Sequence, residues 1–344
     1  MRRHTLLPAV ALLLAFCVVA LGAYVRLSDA GLGCPDWPGC YGHLTVPQAA
    51  HEHAAAAQAF PGKPVEAPKA WKEMIHRYAA GTLGLLILAI FIGAWRREQR
   101  VQHSPLAPSL LLATVVFQAL LGMWTVTLLL KPVIVSAHLL GGMTTLSLLL
   151  FILVRRQQAA PLQVPPALRA WIVAGLALVA LQIALGGWVS SNYAALICTD
   201  FPACRGGAWL PETDFQLAFQ FHRELGYTAD GAQLPASAMT AIHLSHRLGA
   251  LLVLLVVGSL GWTLLRRPAL RGIGHAMLGT LLLQIAMGIG NVLLGLPLPL
   301  AVAHNAGAAL LLATLVTALA RTAPQGYSRA LHLPTAEAGA RMLL

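Results

Sequence analysis

The chain has 344 residues, of which 58% are hydrophobic and only 10% are charged. Globular domains carry about 25% charged residues, so this composition argues against a water-soluble domain. The net charge of +11 does not indicate a nucleic-acid partner, because basic residues beside apolar segments are also what orients a membrane protein.

Eight apolar segments are long enough to cross a bilayer, which takes roughly 20 residues in a helix. They lie near residues 6–26, 74–95, 108–130, 133–154, 168–190, 238–265, 273–294 and 299–320. The first segment resembles a signal peptide, but it is long and no convincing cleavage site follows it, so we interpret it as an uncleaved helix. The sequence therefore predicts an all-α integral membrane protein with eight transmembrane helices.

Basic residues gather in the connections on one side of these helices. An excess of arginine and lysine marks the cytoplasmic side of a membrane protein. The residues are Arg2, Arg3, Arg96, Arg97, Arg100, Arg155, Arg156, Arg169, Arg266, Arg267, Arg271 and Arg321, with Arg329 and Arg341 in the tail. Both termini are therefore predicted to be cytoplasmic.

The connections on the outer side alternate between long and short, so four helices are followed by four more on the same plan. The long connections share the pattern C-x-D-[aromatic]-P-x-C-x-G, at residues 34–42 and 198–206. Gln118, Gly122 and His138 also recur as Gln284, Gly288 and His304. This repetition predicts two parallel-repeat four-helix bundles, residues 1–160 and 161–325, followed by a cytoplasmic tail at 326–344.

Each long outer connection contains two cysteines, Cys34 with Cys40 and Cys198 with Cys204. Oxidising conditions outside the cytoplasm let disulfides persist, which favours one disulfide in each connection. A metal site is the alternative, although this spacing without a nearby histidine is poor for zinc. A redox-active pair also stays open for the first connection.

Five histidines lie within apolar helices, where an ionisable side chain is costly and usually functional. Each even-numbered helix carries one near its outer end, and the sixth helix carries a second: His76, His138, His246 and His304, with His243 as the additional residue. Two imidazoles on neighbouring helices can ligate one heme iron from both faces, so two halves predict two heme sites. Hydrogen bonding between helices is the alternative.

Charged residues accompany these histidines. Arg77 and Arg247 each follow a candidate ligand, where they can pair with heme propionates or only extend to the membrane interface. Glu73 lies one helical turn before His76, whereas His243 occupies the corresponding place in the sixth helix. A carboxylate beside a porphyrin can move protons or stabilise a cation; the alternative is a charge at a helix start.

The residues Glu73-Met74-Ile75-His76-Arg77, His138, His246-Arg247 and His304, with the paired cysteines, resemble heme A synthase of the bacterial, cysteine-containing type. The resemblance covers about residues 6–320. It implies oxidation of heme O to heme A, in which the C8 methyl of the porphyrin becomes a formyl group through successive hydroxylations and loss of water.

The resemblance also implies roles for the site residues. In the first half, His76 and His138 hold the substrate heme beside Arg77, with Glu73 as the catalytic residue. In the second half, a resident heme b that passes electrons is held by His246, His304 and Arg247. Cys34 and Cys40 carry over as the functionally important loop pair, and Cys198 and Cys204 as its structural counterpart.

The same resemblance places the protein in the bacterial inner membrane. It implies heme O synthase and oxidase assembly factors as partners and allows a homo-oligomer. A di-heme b-type electron-transfer protein is the alternative function, but it gives no reason for Glu73 in only one half. A transporter is a third interpretation, and it lacks the broken helices that a carrier site needs.

Overall fold

The structure is a computed structural model that describes residues 3–96, 104–157 and 160–324. Within these residues, eight helices are long and apolar enough to cross a membrane. We number them α1 to α8: Arg3–Leu27, Ala67–Ala94, Leu106–Thr127, Pro132–Gln157, Pro166–Ser191, Ala236–Leu265, Arg271–Leu293 and Leu298–Arg321. Their number and order confirm the predicted all-α membrane fold.

Shorter elements occupy the connections. The helices Ala50–Ala59 and Phe215–Ala218 lie in the two long connections, and single 3-10 turns occur at Ala194–Leu196 and Pro268–Leu270. Two short strands, β1 (Leu162–Val164) and β2 (Thr322–Pro324), pair in parallel. The predicted tail at 326–344 lies outside the described residues, as do Arg2, Arg97, Arg100, Arg329 and Arg341.

The side chains on the helix surfaces explain why this fold needs a membrane. Only 11–39% of the most apolar window of each helix is buried within the protein, and large apolar side chains such as Leu13, Leu85 and Leu251 are exposed. In water such a continuous apolar surface would be unfavourable, whereas lipid surrounds it without cost. The chain is a multi-pass membrane protein.

The helices of each half contact one another in a ring. In the first half, α1 packs against α2 and α4, and α3 joins α2 to α4; in the second, α5 packs against α6 and α8, and α7 joins α6 to α8. The halves meet through α1, α4, α5 and α8. A duplication predicts this shared order of contacts, but the parallel repeat and its division at residue 160 stay predictions.

Basic residues at one end of the bundle hold the end of α8. Arg169 Nη1 donates to the carbonyls of Leu319, at 3.2 Å, and of Thr322, and Arg155 donates to the carbonyl of Ala320 at 3.5 Å. The last carbonyls of a helix lack partners within the helix and carry partial negative charge. These arginines therefore stabilise the helix terminus beside β2.

Helix α2 begins earlier than its apolar pattern predicts. It starts at Ala67 with Pro68 in its first turn, a favoured place for proline, whereas the apolar segment starts near residue 74. The first two turns contain Lys69 and Lys72, so hydropathy alone does not detect them. Glu73 consequently lies inside α2, and the first turn of that helix contains no acidic residue.

Candidate functional site

The structure brings the four candidate ligands together as two pairs. His76 in α2 interacts electrostatically with His138 in α4, and His246 in α6 does so with His304 in α8. The two helices of each pair stand on opposite sides of their ring and are joined through the helices between them, not side by side as the sequence suggested. Each pair therefore faces the middle of its own half.

Each candidate ligand packs against a glycine of an adjacent helix. A Cβ atom built on that glycine would lie 3.1–3.4 Å from Cε1 of the ring, which is closer than most real Cβ contacts. The four glycine seats are Gly22 for His76, Gly122 for His138, Gly186 for His246 and Gly288 for His304. The absence of a side chain lets each imidazole lie directly on the neighbouring helix.

The ring nitrogens are arranged as a heme ligand requires. Nδ1 of His76, His138 and His304 is buried, and each of these residues lies beside the backbone one turn before its glycine seat. With Nδ1 turned toward the protein, Nε2 is the nitrogen left for a metal. All four rings are only partly buried, so the residues present fit a heme held between two imidazoles.

No bare metal ion has a site of its own in the part of the chain that the structure describes. There, no three His, Cys, Asp or Glu side chains form a cluster that could hold an ion. A heme iron needs only two axial ligands from the protein, because the porphyrin supplies the other four. The paired histidines therefore remain the candidate metal ligands.

Glu73 is bound to the first long connection. Its side chain is only 6% exposed and forms an ion pair with Arg77 through Oε1. Its Oε2 accepts a hydrogen bond from the backbone N–H of Cys34 at 3.0 Å. This carboxylate therefore links α2, one turn before His76, to the cysteine loop.

Arg77 holds the same loop through its backbone. Its Nη1 donates to the carbonyls of Asp36 at 2.9 Å and Pro38 at 3.2 Å, and to that of Gly39. Its Nη2 pairs with Glu73. The cysteine loop, Arg77 and Glu73 consequently form one polar network beside His76.

The second half repeats the arginine but not the carboxylate. Arg247 donates to the carbonyls of Asp200 at 2.9 Å and Ala203 at 2.8 Å. His243, at the place of Glu73, is 5% exposed, and its Nδ1 lies 3.0 Å from the carbonyl oxygen of Ala194. Both arginines therefore hold their loops in this structure, a role that the sequence did not indicate. Propionate contact stays a prediction.

Both predicted disulfides, Cys34–Cys40 and Cys198–Cys204, are confirmed. The shared aspartate of the two loops accepts backbone hydrogen bonds beyond the second cysteine. Asp36 accepts from Tyr41 at 2.6 Å and Gly42 at 2.8 Å, and Asp200 accepts from Gly207 at 3.2 Å. The common motif therefore encodes a closed loop with its own polar brace.

Tyr41 fixes the far side of the first loop. Its hydroxyl donates to the carbonyl of Pro64 at 2.8 Å. Burial raises the pKa of Tyr41 above its ordinary value, and the carboxylates of Glu66 and Asp36 act in the same direction. The phenol therefore stays protonated, as a donor, at neutral pH.

Three glutamines lie beside the candidate ligands, and the sequence predicted no role for them. Each donates from Nε2 to the backbone carbonyl of a histidine at 2.9 Å: Gln118 to His138, Gln182 to His246 and Gln284 to His304. The signal that could have found them is the recurring spacing of a glutamine four residues before a glycine seat.

The sequence is similar to known proteins over most of its length. The model of the family described as cytochrome oxidase assembly protein, COX15-CtaA, matches residues 5–316. The chain is 44% identical over 318 residues to a protein of Shewanella oneidensis named heme A synthase, covering 91% of this chain and 94% of that protein. It is 28% identical over 312 residues to a heme A synthase of Halalkalibacterium halodurans, covering 87% and 90%. Similarity to a heme A synthase of Mesorhizobium japonicum is 30% identity over 329 residues, covering 88% and 86%.

Proposed function

The chain belongs to the COX15-CtaA family, and we propose on this basis how its two halves divide the work of a heme A synthase. The enzyme oxidises heme O to heme A. The observation that carries the division is a difference in chemistry between two similar sites, since the place of Glu73 in α2 is taken by His243 in α6.

The first half is the substrate half in this proposal. His76 and His138 hold heme O between them, and Glu73 is the catalytic residue one turn before His76. Conversion of a methyl group into a formyl group is a four-electron oxidation that replaces two hydrogens of the carbon by one oxygen, and a buried carboxylate can accept a released proton or stabilise positive charge that develops at that carbon. Its ion pair with Arg77 and the Cys34 N–H hold the carboxylate in place.

The second half holds a resident heme b between His246 and His304. When bound, this cofactor transfers electrons. The absence of a carboxylate beside it suits a group that must not be chemically altered. Gln182 holds the backbone of the first of these ligands, because its Nε2 donates to the carbonyl of His246 at 2.9 Å.

Arg77 and Arg247 lie at the outer end of the two sites and are placed to meet heme propionates. Both guanidinium groups donate to carbonyls of their loops, so each arginine would link a bound heme to its cysteine loop.

The membrane fold and the family support a proposal for the cellular setting. We place the protein in the bacterial inner membrane with both termini in the cytoplasm, because the basic connections lie on one side of the helices. Heme O synthase would supply the substrate, and oxidase assembly factors would receive the product. A homo-oligomer within the lipid is compatible with this arrangement.

Pigment extraction from the purified protein tests the function. Heme b together with heme O or heme A is the expected composition. Heme b alone would instead favour an electron carrier, and a protein without any heme would contradict the assignment of all four histidines.

A further inference from the structure

Three of the four candidate ligands share a packing arrangement that we call the glutamine clasp. In a clasp, a glutamine donates its Nε2–H to the backbone carbonyl of the histidine on the next helix. The same glutamine also packs against the glycine that follows this histidine by three residues. The members are Gln118 with His138 and Gly141, Gln182 with His246 and Gly249, and Gln284 with His304 and Gly307.

The glycine of each clasp lets the glutamine side chain approach the backbone of the neighbouring helix. A Cβ atom on Gly141, Gly249 or Gly307 would overlap the side-chain oxygen of the glutamine. The glutamine also lies one turn before the glycine seat of the same histidine, so one face of the helix binds both the ring and the backbone of the ligand. Polar bonds between helices in a membrane have little competition from water, so the clasp opposes separation of its two helices.

The fourth pair, α1 with α2, has no clasp. Val18 occupies the place of the glutamine and Ala79 the place of the glycine, while the seat Gly22 is kept. Valine cannot donate a hydrogen bond to the carbonyl of His76, and a methyl group at position 79 leaves no room for a glutamine. The substitution of both members together makes this pair distinct.

The α1–α2 interface has contacts at both ends that do not involve a glutamine. At the outer end, Glu73 and Arg77 bind the cysteine loop that continues from α1. At the opposite end, small and aliphatic side chains of the two helices pack into one cluster, which includes Ala11, Ala15, Leu83 and Ile87. Between these ends, the His76 ring lies on Gly22 and beside the backbone of Val18, and no glutamine among the described residues donates to the carbonyl of His76.

We propose that Gln118, Gln182 and Gln284 are positioning residues that keep three histidines in fixed places, and that α1–α2 is the seam that loosens when heme O enters and heme A leaves. This inference rests on the proposed function. A substrate must be exchanged in every turnover, whereas a resident cofactor must stay. Both ligands assigned to heme b are clasped, but only one of the two assigned to the substrate is.

The first test transfers the α1–α2 arrangement to the second half. The double variant Gln182→Val with Gly249→Ala should release heme b from the purified protein to excess apomyoglobin about tenfold faster than wild type, the effect of losing roughly one buried hydrogen bond. Its low-spin heme spectrum should also broaden as His246 loses its fixed orientation. Gly279→Ala is the matched control, because a Cβ there meets nothing within 4 Å, and its release rate should equal that of wild type.

The second test installs a clasp in the first half. Val18→Gln with Ala79→Gly should slow amide hydrogen exchange of α2 in the purified protein. It should also raise the fraction of heme A that stays bound to the protein after turnover. In wild type, α2 should exchange faster than α6 does.

Two results would overturn the inference. One is release of heme b from the Gln182→Val, Gly249→Ala variant at the wild-type rate; should that variant fail to accumulate, Gln182→Val alone gives the same comparison without added bulk. The other is equal exchange of α2 with and without the installed clasp. The exchange comparison needs no bound heme, so it tests the clasp separately from the proposed function, which heme extraction tests.

Discussion

Glu73 is the residue at which the two halves differ most in chemistry. Its carboxylate is buried, paired with Arg77, and bound to the backbone of Cys34, 39 residues away in the chain. A carboxylate held by two partners is fixed in orientation, which is what a group acting on one edge of a porphyrin needs.

Substitution of this carboxylate by its amide tests its role. Glu73→Gln keeps the shape and loses the charge, so we expect formation of heme A to fall about 100-fold or more, while membrane insertion and bound heme b stay unchanged. Chromatography of hemes extracted from cells that make the variant measures heme O, the hydroxylated intermediate and heme A. Heme A at the wild-type level would show that Glu73 only anchors the loop.

The glycine seats give a second test at single residues. Gly22→Ala adds a methyl group 3.1 Å from Cε1 of His76 and should push the ring away from its helix, lowering heme A formation about tenfold. Gly81→Ala is the control, because in the same half its Cβ meets nothing within 4 Å. Equal heme A levels in the two variants would argue against a fixed position for His76.

At the scale of elements, each cysteine loop packs against one end of its half. The first disulfide closes the loop whose carbonyls hold Arg77 and whose Cys34 N–H holds Glu73. The second closes a loop that holds Arg247 but no carboxylate. The same loop structure therefore holds a buried glutamate of the adjacent helix in the first half only.

Removal of the two disulfides should have different effects. Cys34→Ser with Cys40→Ser frees the loop that positions Glu73, so heme A formation should fall about tenfold or more with heme b retained. Cys198→Ser with Cys204→Ser is the matched variant and should reduce heme A formation less. If heme A formation falls equally in both variants, the first disulfide acts in folding and not in positioning Glu73.

The sequence predicts the helices well because each membrane-spanning helix contains a long continuous apolar segment. Most of the observed helix ends lie within three residues of the predicted ends. The exception is α2, whose first two turns are polar. The four histidines stand out because ionisable groups are rare in apolar helices. The contacts of Glu73 and the glutamine clasps were not predicted, since both join residues that become neighbours only when helices pack.

At the scale of the whole molecule, one architecture serves two purposes. Each half presents two histidines, their glycine seats and an arginine-held disulfide loop in the same order of helices. The halves differ at three corresponding positions. Glu73 corresponds to His243, Val18 to Gln182 and Ala79 to Gly249. These differences all lie on α1 and α2 or their counterparts, which is where the proposed substrate site would differ from the proposed cofactor site.

The division between the halves is tested most directly by the hemes that remain bound when each pair of histidines is broken. His246→Ala and His304→Ala should abolish bound heme b in the purified protein. His76→Ala and His138→Ala should keep a normal low-spin heme b spectrum while heme O accumulates in the cells and heme A disappears. A normal heme b spectrum in both His246→Ala and His304→Ala, or its loss in the His76→Ala and His138→Ala variants, would contradict the assignment of cofactor and substrate to separate halves.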